Sequence, residues 1–131
     1  MSFRKDLQIF CHGSTEAAER TARAIKIELF SSTIADTPVL SGRARGNWQT
    51  TEGQPAIGTV ERLDKSGARA RKEVMEKVTP GDGTSILTNN LPYIAQLEYG
   101  SSQKAPEGMM RKNVARIERI VQQAARKHRR K

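Results

Sequence analysis

The chain has 131 residues, of which 36% are hydrophobic and 28% are charged, a composition that supports one folded domain and excludes wholesale disorder. The sequence has no signal peptide and no apolar run near the roughly 20 residues of a membrane span, which predicts a cytosolic protein without a membrane partner. Of the net charge of +9, a share of +8 lies between Arg111 and Lys131, which excludes a protein that is basic on every face.

A long first helix is predicted over residues 14–34. Small and apolar residues recur there at helical spacing between Ala18 and Leu29, so that they form one stripe that can be buried. Ser14 is positioned to cap the first free N–H groups of this helix. Pro38 forces the residue before it out of the helical region, so we expect the helix to end by about residue 35.

Two short strands and a second helix are predicted in the middle of the chain. A glycine-containing loop leads into a strand over residues 44–51, and a run with β-branched residues predicts another strand over 84–88. We expect these strands to pair with each other. Between them, a helix is predicted over residues 66–78 because three apolar residues share one face: Ala70, Val74 and Val78.

The last third of the chain predicts a helical turn, a polar loop and a long helix. Pro92 suits the first position of a helical turn, and residues 100–108 are polar and bounded by glycines, as in an exposed loop. The final helix is predicted from an amphipathic stripe that consists of Met110, Val114, Ile117, Val121 and Ala124.

Taken together, these elements predict an α+β fold. We expect the long N-terminal helix and the C-terminal helix to pack on a small, mainly antiparallel sheet. One domain is predicted over residues 1–125, followed by a basic tail over residues 126–131.

Residues suited to catalysis or metal binding are few. Cys11 is the single cysteine, which excludes an internal disulfide framework and a four-thiolate zinc site. His12 and His128 lie at opposite ends of the chain, and neither has a second ligand at metal-binding spacing. A reactive Cys11–His12 pair is disfavoured against a structural cysteine, because adjacent side chains point apart and no orienting acid follows.

Residues 42–46 read GRARG, with two arginines between two glycines. Such a segment can approach an anion through its backbone N–H groups and its guanidinium groups. However, the P-loop and dinucleotide-binding patterns are both absent. A turn with two surface arginines is therefore favoured over a phosphate cradle.

Three interpretations of the role of the basic tail remain open. Its side chains can neutralise phosphates without sequence preference, they can form a solvated helix end that suits the helix dipole, or they can contact an acidic protein surface. No aromatic residue alternates with the basic ones to stack on bases. Three aromatic residues near the predicted strand and turn ends are favoured as core residues, although such residues also dominate interfaces: Trp48, Tyr93 and Tyr99.

Two segments, taken together, resemble a known family. Residues 37–48 read TPVLSGRARGNW, and residues 87–100 read LTNNLPYIAQLEYG and are followed by QKAPEGMMR at 103–111. In order and separation, both segments resemble signatures of the phage neck and tail-completion proteins, the family that includes the lambda minor tail protein Z type. The sequence departs from that pattern at Leu40, where an acidic residue is usual, and at Ala44, where a larger apolar residue is common.

The resemblance implies a non-enzymatic virion protein without a cofactor or a metal. Such a protein forms a ring at the head–tail junction or at the head-proximal end of the tail, and it is needed for tail completion and head–tail joining. The implied partners are further copies of the chain in a hexameric ring, the neighbouring tail-terminator, tail-tube and head-completion or connector proteins, and packaged DNA. The implied location is the virion, after synthesis in the host cytoplasm.

The resemblance and the residue types together select candidate contact residues. Candidates for assembly contacts are Arg43, Arg45, Trp48, Tyr93, Glu98, Tyr99, Gln103, Lys104 and Pro106. Candidates for contacts with DNA or an acidic partner are Arg126, Lys127, Arg129, Arg130 and Lys131.

Two other function classes compete with this interpretation. The first is a small nucleic-acid-binding protein that uses the basic C-terminal segment, which predicts steep salt dependence for the isolated protein. The second is a small hydrolase, which depends on Cys11 and His12 alone.

Overall fold

The computed structural model describes residues 15–80, 83–99 and 107–129. The helices and strands in these ranges, in chain order, are α1 (Thr15–Ala35), α2 (Arg43–Gly46), β1 (Gln49–Glu52), α3 (Ala68–Lys77), β2 (Ser85–Thr88), α4 (Ile94–Glu98) and α5 (Met110–Arg129). Helices joined to one small antiparallel sheet confirm the predicted α+β class. No helix in the described ranges is long and apolar enough to cross a membrane.

Helix α1 ends at Ala35, as predicted from the proline that follows. Its deepest contacts lie near its C-terminal end, where Phe30 and Ile34 enter the main core. The predicted stripe is shallower: Ala22 is buried, whereas Ala18 and Leu29 are half-buried. The core is concentrated at this end because residues from distant parts of the chain, such as Trp48, Val74 and Met109, pack in the same cluster.

The predicted strand over residues 44–51 is wrong in its first half. Gly42 adopts a positive φ of 88°, and the next residues form the helical turn α2, in which Gly46 donates its N–H to the carbonyl of Gly42 at 2.9 Å. A side chain on Gly46 would lie 1.9 Å from the carbonyl oxygen of Arg62. The turn therefore packs closely against the backbone at Arg62. Extended backbone begins only at Gln49.

The two strands form one antiparallel pair, which confirms the predicted pairing. The register places Gln49 opposite Thr88 and Glu52 opposite Ser85. Helix α3 covers β1. The three apolar residues predicted to share its face are fully buried in the core: Ala70 and Val74 within the helix, and Val78 directly after its end.

Helix α1 packs on both α3 and α5, while α3 lies closest to the sheet. This arrangement refines the predicted one, in which both long helices were expected to cover the strands. The predicted stripe of α5 is correct at Ile117 and Val121 but not at Met110, which is 45% exposed. Met109 and Asn113 are buried instead, because the start of the helix is fixed by contacts with the end of α4.

Candidate interaction surface

Arg45 is half-buried and supports the fold. Its guanidinium donates to three carbonyls, at 2.6 Å to Ala35, 2.9 Å to Thr37 and 2.6 Å to Lys65. The carbonyl of Ala35 belongs to the last residue of α1, where carbonyl groups have no partner within the helix, and the carbonyl of Thr37 lies two residues beyond it. Arg45 thus has a structural role within the chain, and its prediction as an assembly contact stays a prediction.

Trp48 is also part of the core. Its side chain is only 3% exposed, and its indole N–H donates to the hydroxyl of Thr37 at 2.8 Å. That hydroxyl donates in turn to the carbonyl of Thr33 at 2.8 Å. Since a buried indole N–H needs an acceptor, this short chain of hydrogen bonds fixes the ring, and Trp48 cannot contact a partner without local unfolding.

Arg62 supports the other side of the same turn, and sequence reasoning missed it. Its guanidinium donates to the carbonyls of Gly46 at 2.6 Å and Trp48 at 2.7 Å. It also pairs with Glu73 at 3.3 Å, whose other oxygen accepts the N–H of Thr50 at 2.8 Å. No local pattern in the sequence marks Arg62, because all of its partners are distant along the chain.

Glu98 holds the start of α5. Its carboxylate accepts the backbone N–H groups of Met109 at 2.9 Å, Met110 at 2.8 Å and Arg111 at 3.0 Å. The guanidinium of Arg111 pairs with the same carboxylate at 3.0 Å and also donates to the backbone carbonyl of Glu98. Such contacts satisfy the free N–H groups at a helix start and suit the positive end of the helix dipole.

These contacts determine the charge state of Glu98. Burial by itself raises the pKa of this carboxyl, but the hydrogen bonds from Arg111, Met110 and Met109 outweigh burial, so that the pKa lies below its usual value. Glu98 is 5% exposed. The structure therefore places this candidate assembly contact inside the folded chain, where it serves as a helix cap.

Tyr99 is the aromatic candidate that faces solvent. It is 71% exposed, and the guanidinium carbon of Arg111 lies 4.8 Å from the centre of its ring. This distance is typical of a cation–π contact. Tyr99 therefore remains available to a partner.

An open groove with a volume of about 320 Å³ lies between the loop after α1 and helix α4. Both segments of the resemblance line it: residues 38–44 contribute one wall, and Tyr93 and Leu97 contribute the other. Leu40 lies in the lining and is 91% exposed. Arg43 is the one charged residue in the lining.

The two walls of this groove are joined by a direct hydrogen bond. The side-chain amide of Asn89 donates to the carbonyl of Ala44 at 2.9 Å. Leu91, two residues later, is buried. The structure thus brings Arg43 and Tyr93 together at one surface, whereas Arg45, Trp48 and Glu98 do not line that surface.

The basic residues of α5 fall into two groups. In the first half of the helix, Lys112 pairs with Asp36 at 3.3 Å and Arg116 pairs with Glu28 at 2.9 Å. In the second half, Arg119 and Arg126 are exposed. Within the described part of the chain, neither of these two arginines has an ion pair.

Several predicted residues lie outside the described residues. They are Gln103, Lys104 and Pro106 of the polar loop, Arg130 and Lys131 of the tail, the side chains of Ala124, Lys127, His128 and Arg129, and Cys11, His12 and Ser14 near the N-terminus. Among the described residues, no group of three or more histidine, cysteine, aspartate or glutamate side chains could hold a metal ion. The predictions for the residues outside the described ranges stay predictions.

Comparison with known proteins adds no relative. The chain matches no protein-family model, no curated protein and no solved structure at a significant level.

Proposed function

We propose that the chain is a structural virion protein of a tailed bacteriophage, which forms a ring at the head–tail junction or the head-proximal end of the tail and completes the tail for joining. The observation that carries this proposal is the groove. Two segments that resemble the neck and tail-completion proteins, residues 37–48 and 87–100, contribute to it: residues 38–44 form one wall, and Tyr93 and Leu97 form the other.

The groove has the properties of a contact surface for another protein. Its lining is mainly apolar, and Leu40 stands almost entirely in solvent at its edge. An exposed apolar patch that is supported by a rigid framework is typical of a protein interaction site. Arg45 supplies such a framework, because it ties the loop of residues 38–44 to the end of α1.

The proposal is tested first at the level of the particle. Phage particles from a host that carries the gene are purified and analysed by mass spectrometry, and their necks are imaged by electron microscopy with and without the gene. We expect the protein in several copies per particle, and unjoined heads and tails when the gene is deleted. Normal particles that lack the protein would refute the proposal.

A pair of variants then tests the groove itself. Leu40→Asp places a charge at the edge of the groove, whereas Leu63→Asp places the same charge at another exposed leucine that does not line it. Both variants should fold, because both side chains lie mainly in solvent. In complementation of the gene deletion, we expect Leu40→Asp to reduce infectious particles strongly and Leu63→Asp to leave them near the normal yield.

The second half of α5 favours one alternative function. Arg119 and Arg126 are exposed and have no ion pair within the described residues, which leaves them available for phosphates. Nonspecific nucleic-acid binding by the isolated protein would then fall steeply with salt. A ring component would bind DNA weakly alone and associate with neighbouring rings, so the salt dependence of DNA binding separates the two functions.

A further inference from the structure

Residues 53–60 form a loop after β1 that carries an apolar side chain in solvent. Ile57 is 97% exposed, more than any other large apolar side chain in the described part of the chain. Pro55 and Gly58 stand on either side of it, and Gly58 has a positive φ of 78°. The loop therefore displays a single apolar projection, which we call the Ile57 knob.

The backbone beside the Ile57 knob is firmly held. The side-chain amide of Asn90 donates to the carbonyls of Ala56 and Gly58, both at 2.9 Å. Gln49 donates to the carbonyl of Gly58 at 3.0 Å, and the N–H of Val60 donates to the side chain of Asn47 at 2.9 Å. Because the loop is ordered before any partner binds, docking of the knob requires little further loss of conformational entropy.

The chain also carries a surface that fits such a knob. The groove of residues 38–44, Tyr93 and Leu97 is mainly apolar, and its volume of about 320 Å³ has room for an isoleucine side chain. The knob of the same chain does not fill it, since Ile57 is almost wholly in solvent. Each copy thus has one unfilled apolar groove and one unburied apolar knob.

Charge also favours a contact between these two surfaces. The one charged residue in the groove lining is the cation Arg43. The knob loop lies between two acidic residues, Glu52 and Glu61, and no basic residue stands between them. Glu61 is exposed. Opposite charges around an apolar centre favour one orientation of docking and disfavour groove-to-groove contacts between cations.

We propose that the Ile57 knob of one copy docks in the groove of a second copy. This inference rests on the proposed ring and names the contact between its subunits. Because knob and groove are different surfaces, each added copy presents a new knob and a new groove, which is the kind of contact that closes into a ring when the rotation permits. Arg43 of one copy then faces the acidic residues that flank the knob loop of the next.

Cysteine pairing between two single variants tests the contact directly. In a full-length Cys11→Ser background, one protein carries Ile57→Cys and the other Leu40→Cys, and the two are mixed under mild oxidation. The control mixture replaces Ile57→Cys by Leu63→Cys, an exposed position outside the knob. We expect mixed dimers to form at least about tenfold faster with Ile57→Cys, because a disulfide requires Cα atoms within about 7 Å.

A second measurement uses the knob without a covalent link. In sedimentation over a range of protein concentrations, we expect Ile57→Asp to weaken self-association by about 10- to 100-fold, the loss expected when one apolar side chain is no longer buried. Leu63→Asp should associate like the original chain. Unchanged thermal unfolding of both variants verifies that they remain folded.

Several results would overturn this contact. The first is an equal pairing rate for Ile57→Cys and Leu63→Cys, and the second is unaltered association of Ile57→Asp. The third is loss of head–tail joining in Leu40→Asp together with normal joining in Ile57→Asp, because this result would assign the groove to a different virion protein. If the contact fails while particles contain the protein, the proposed function stands. If pairing is selective but particles lack the protein, the contact stands and the proposed function fails.

Discussion

The two halves of helix α5 carry similar basic residues but use them differently. In the first half, over residues 110–116, every basic side chain lies beside a carboxylate from another part of the fold. In the second half, over residues 117–129, Arg119 and Arg126 have no such partner among the described residues. A run of positive charge along a sequence is therefore not one surface, because tertiary contacts divide it into structural cations and available ones.

The largest change in stability is expected when the carboxylate at the start of α5 is removed, because the basic side chain and the N–H groups in the first half of the helix then lose their acceptor. Glu98→Ala should lower the free energy of unfolding by about 3 kcal/mol, since three backbone N–H groups and a guanidinium lose a charged acceptor. Urea unfolding measures the change. The control is Glu61→Ala, an exposed carboxylate whose loss should change stability by less than about 0.5 kcal/mol; similar losses in both variants would contradict the assignment of Glu98 as the cap.

A glycine beside that carboxylate gives the next largest effect. Gly108 has a positive φ of 79°, and a Cβ there would lie 2.4 Å from a carboxylate oxygen of Glu98. Gly108→Ala should therefore lower the free energy of unfolding by about 2 kcal/mol or more.

Gly53→Ala separates the strain of a positive φ from the close approach of a Cβ to Glu98. Gly53 has a similar φ of 84°, but a Cβ at this position would meet no neighbouring atom within 4 Å. This variant should show backbone strain alone, with a loss of about 1 kcal/mol. Equal losses in the two alanine variants would mean that the close approach to Glu98 is unimportant.

Acid should weaken the first half of α5 selectively. Because the pKa of Glu98 is lower in the folded chain than the value of 4.5 for a free carboxyl, the unfolded state binds the proton more readily. The stability from the ionised form is fully present above the unfolded pKa and is lost as the pH falls through the folded pKa. Urea unfolding of the original chain and of Glu98→Gln should therefore converge in acid, and a constant difference at every pH would contradict this linkage.

The exposed ion pair between Arg116 and Glu28 should contribute less. Both side chains are partly in solvent, so Arg116→Gln should lower the free energy of unfolding by about 0.5 kcal/mol, and high salt should reduce the difference. Arg119→Gln is the control, because it removes the same charge one turn later without breaking a described ion pair. If Arg119→Gln costs as much as Arg116→Gln, the two halves of α5 do not differ as the structure indicates.

The smallest effect on stability is expected in the second half of α5. Arg119→Gln combined with Arg126→Gln should leave the free energy of unfolding within about 0.5 kcal/mol of its original value. If these arginines contact phosphates, the logarithmic salt slope of DNA binding should become about two units less steep. An unchanged slope would show that DNA binding, where present, uses other residues.

The sequence predicts the structural elements correctly where neighbouring residues determine them. The end of α1 follows from Pro38, and the buried face of α3 follows from the spacing of Ala70, Val74 and Val78. The pairing of β1 with β2 follows from two short extended runs. In each case the local backbone preference and the tertiary contact favour the same structure.

The same reasoning failed for the arginine-containing turn. The local pattern predicts strand for residues 44–46, but they form a helical turn because Gly42 and Gly46 let the backbone of residues 62–65 approach closely. Arg43 and Arg45 are two residues apart in the same short segment, and only the structure shows that their side chains have different contacts. The guanidinium of Arg45 reaches the carbonyls at the end of α1, whereas Arg43 lines the groove.

By itself, the sequence determined the fold class, most element positions and the concentration of positive charge near the C-terminus, because these depend on local spacing and composition. The tertiary structure alone decided which polar residues are internal and which face solvent. Glu98 is buried and Arg45 is half-buried because distant N–H and carbonyl groups needed partners. Leu40 and Ile57 stayed exposed because no described segment covers them, and such long-range contacts are not encoded in the spacing of neighbouring residues.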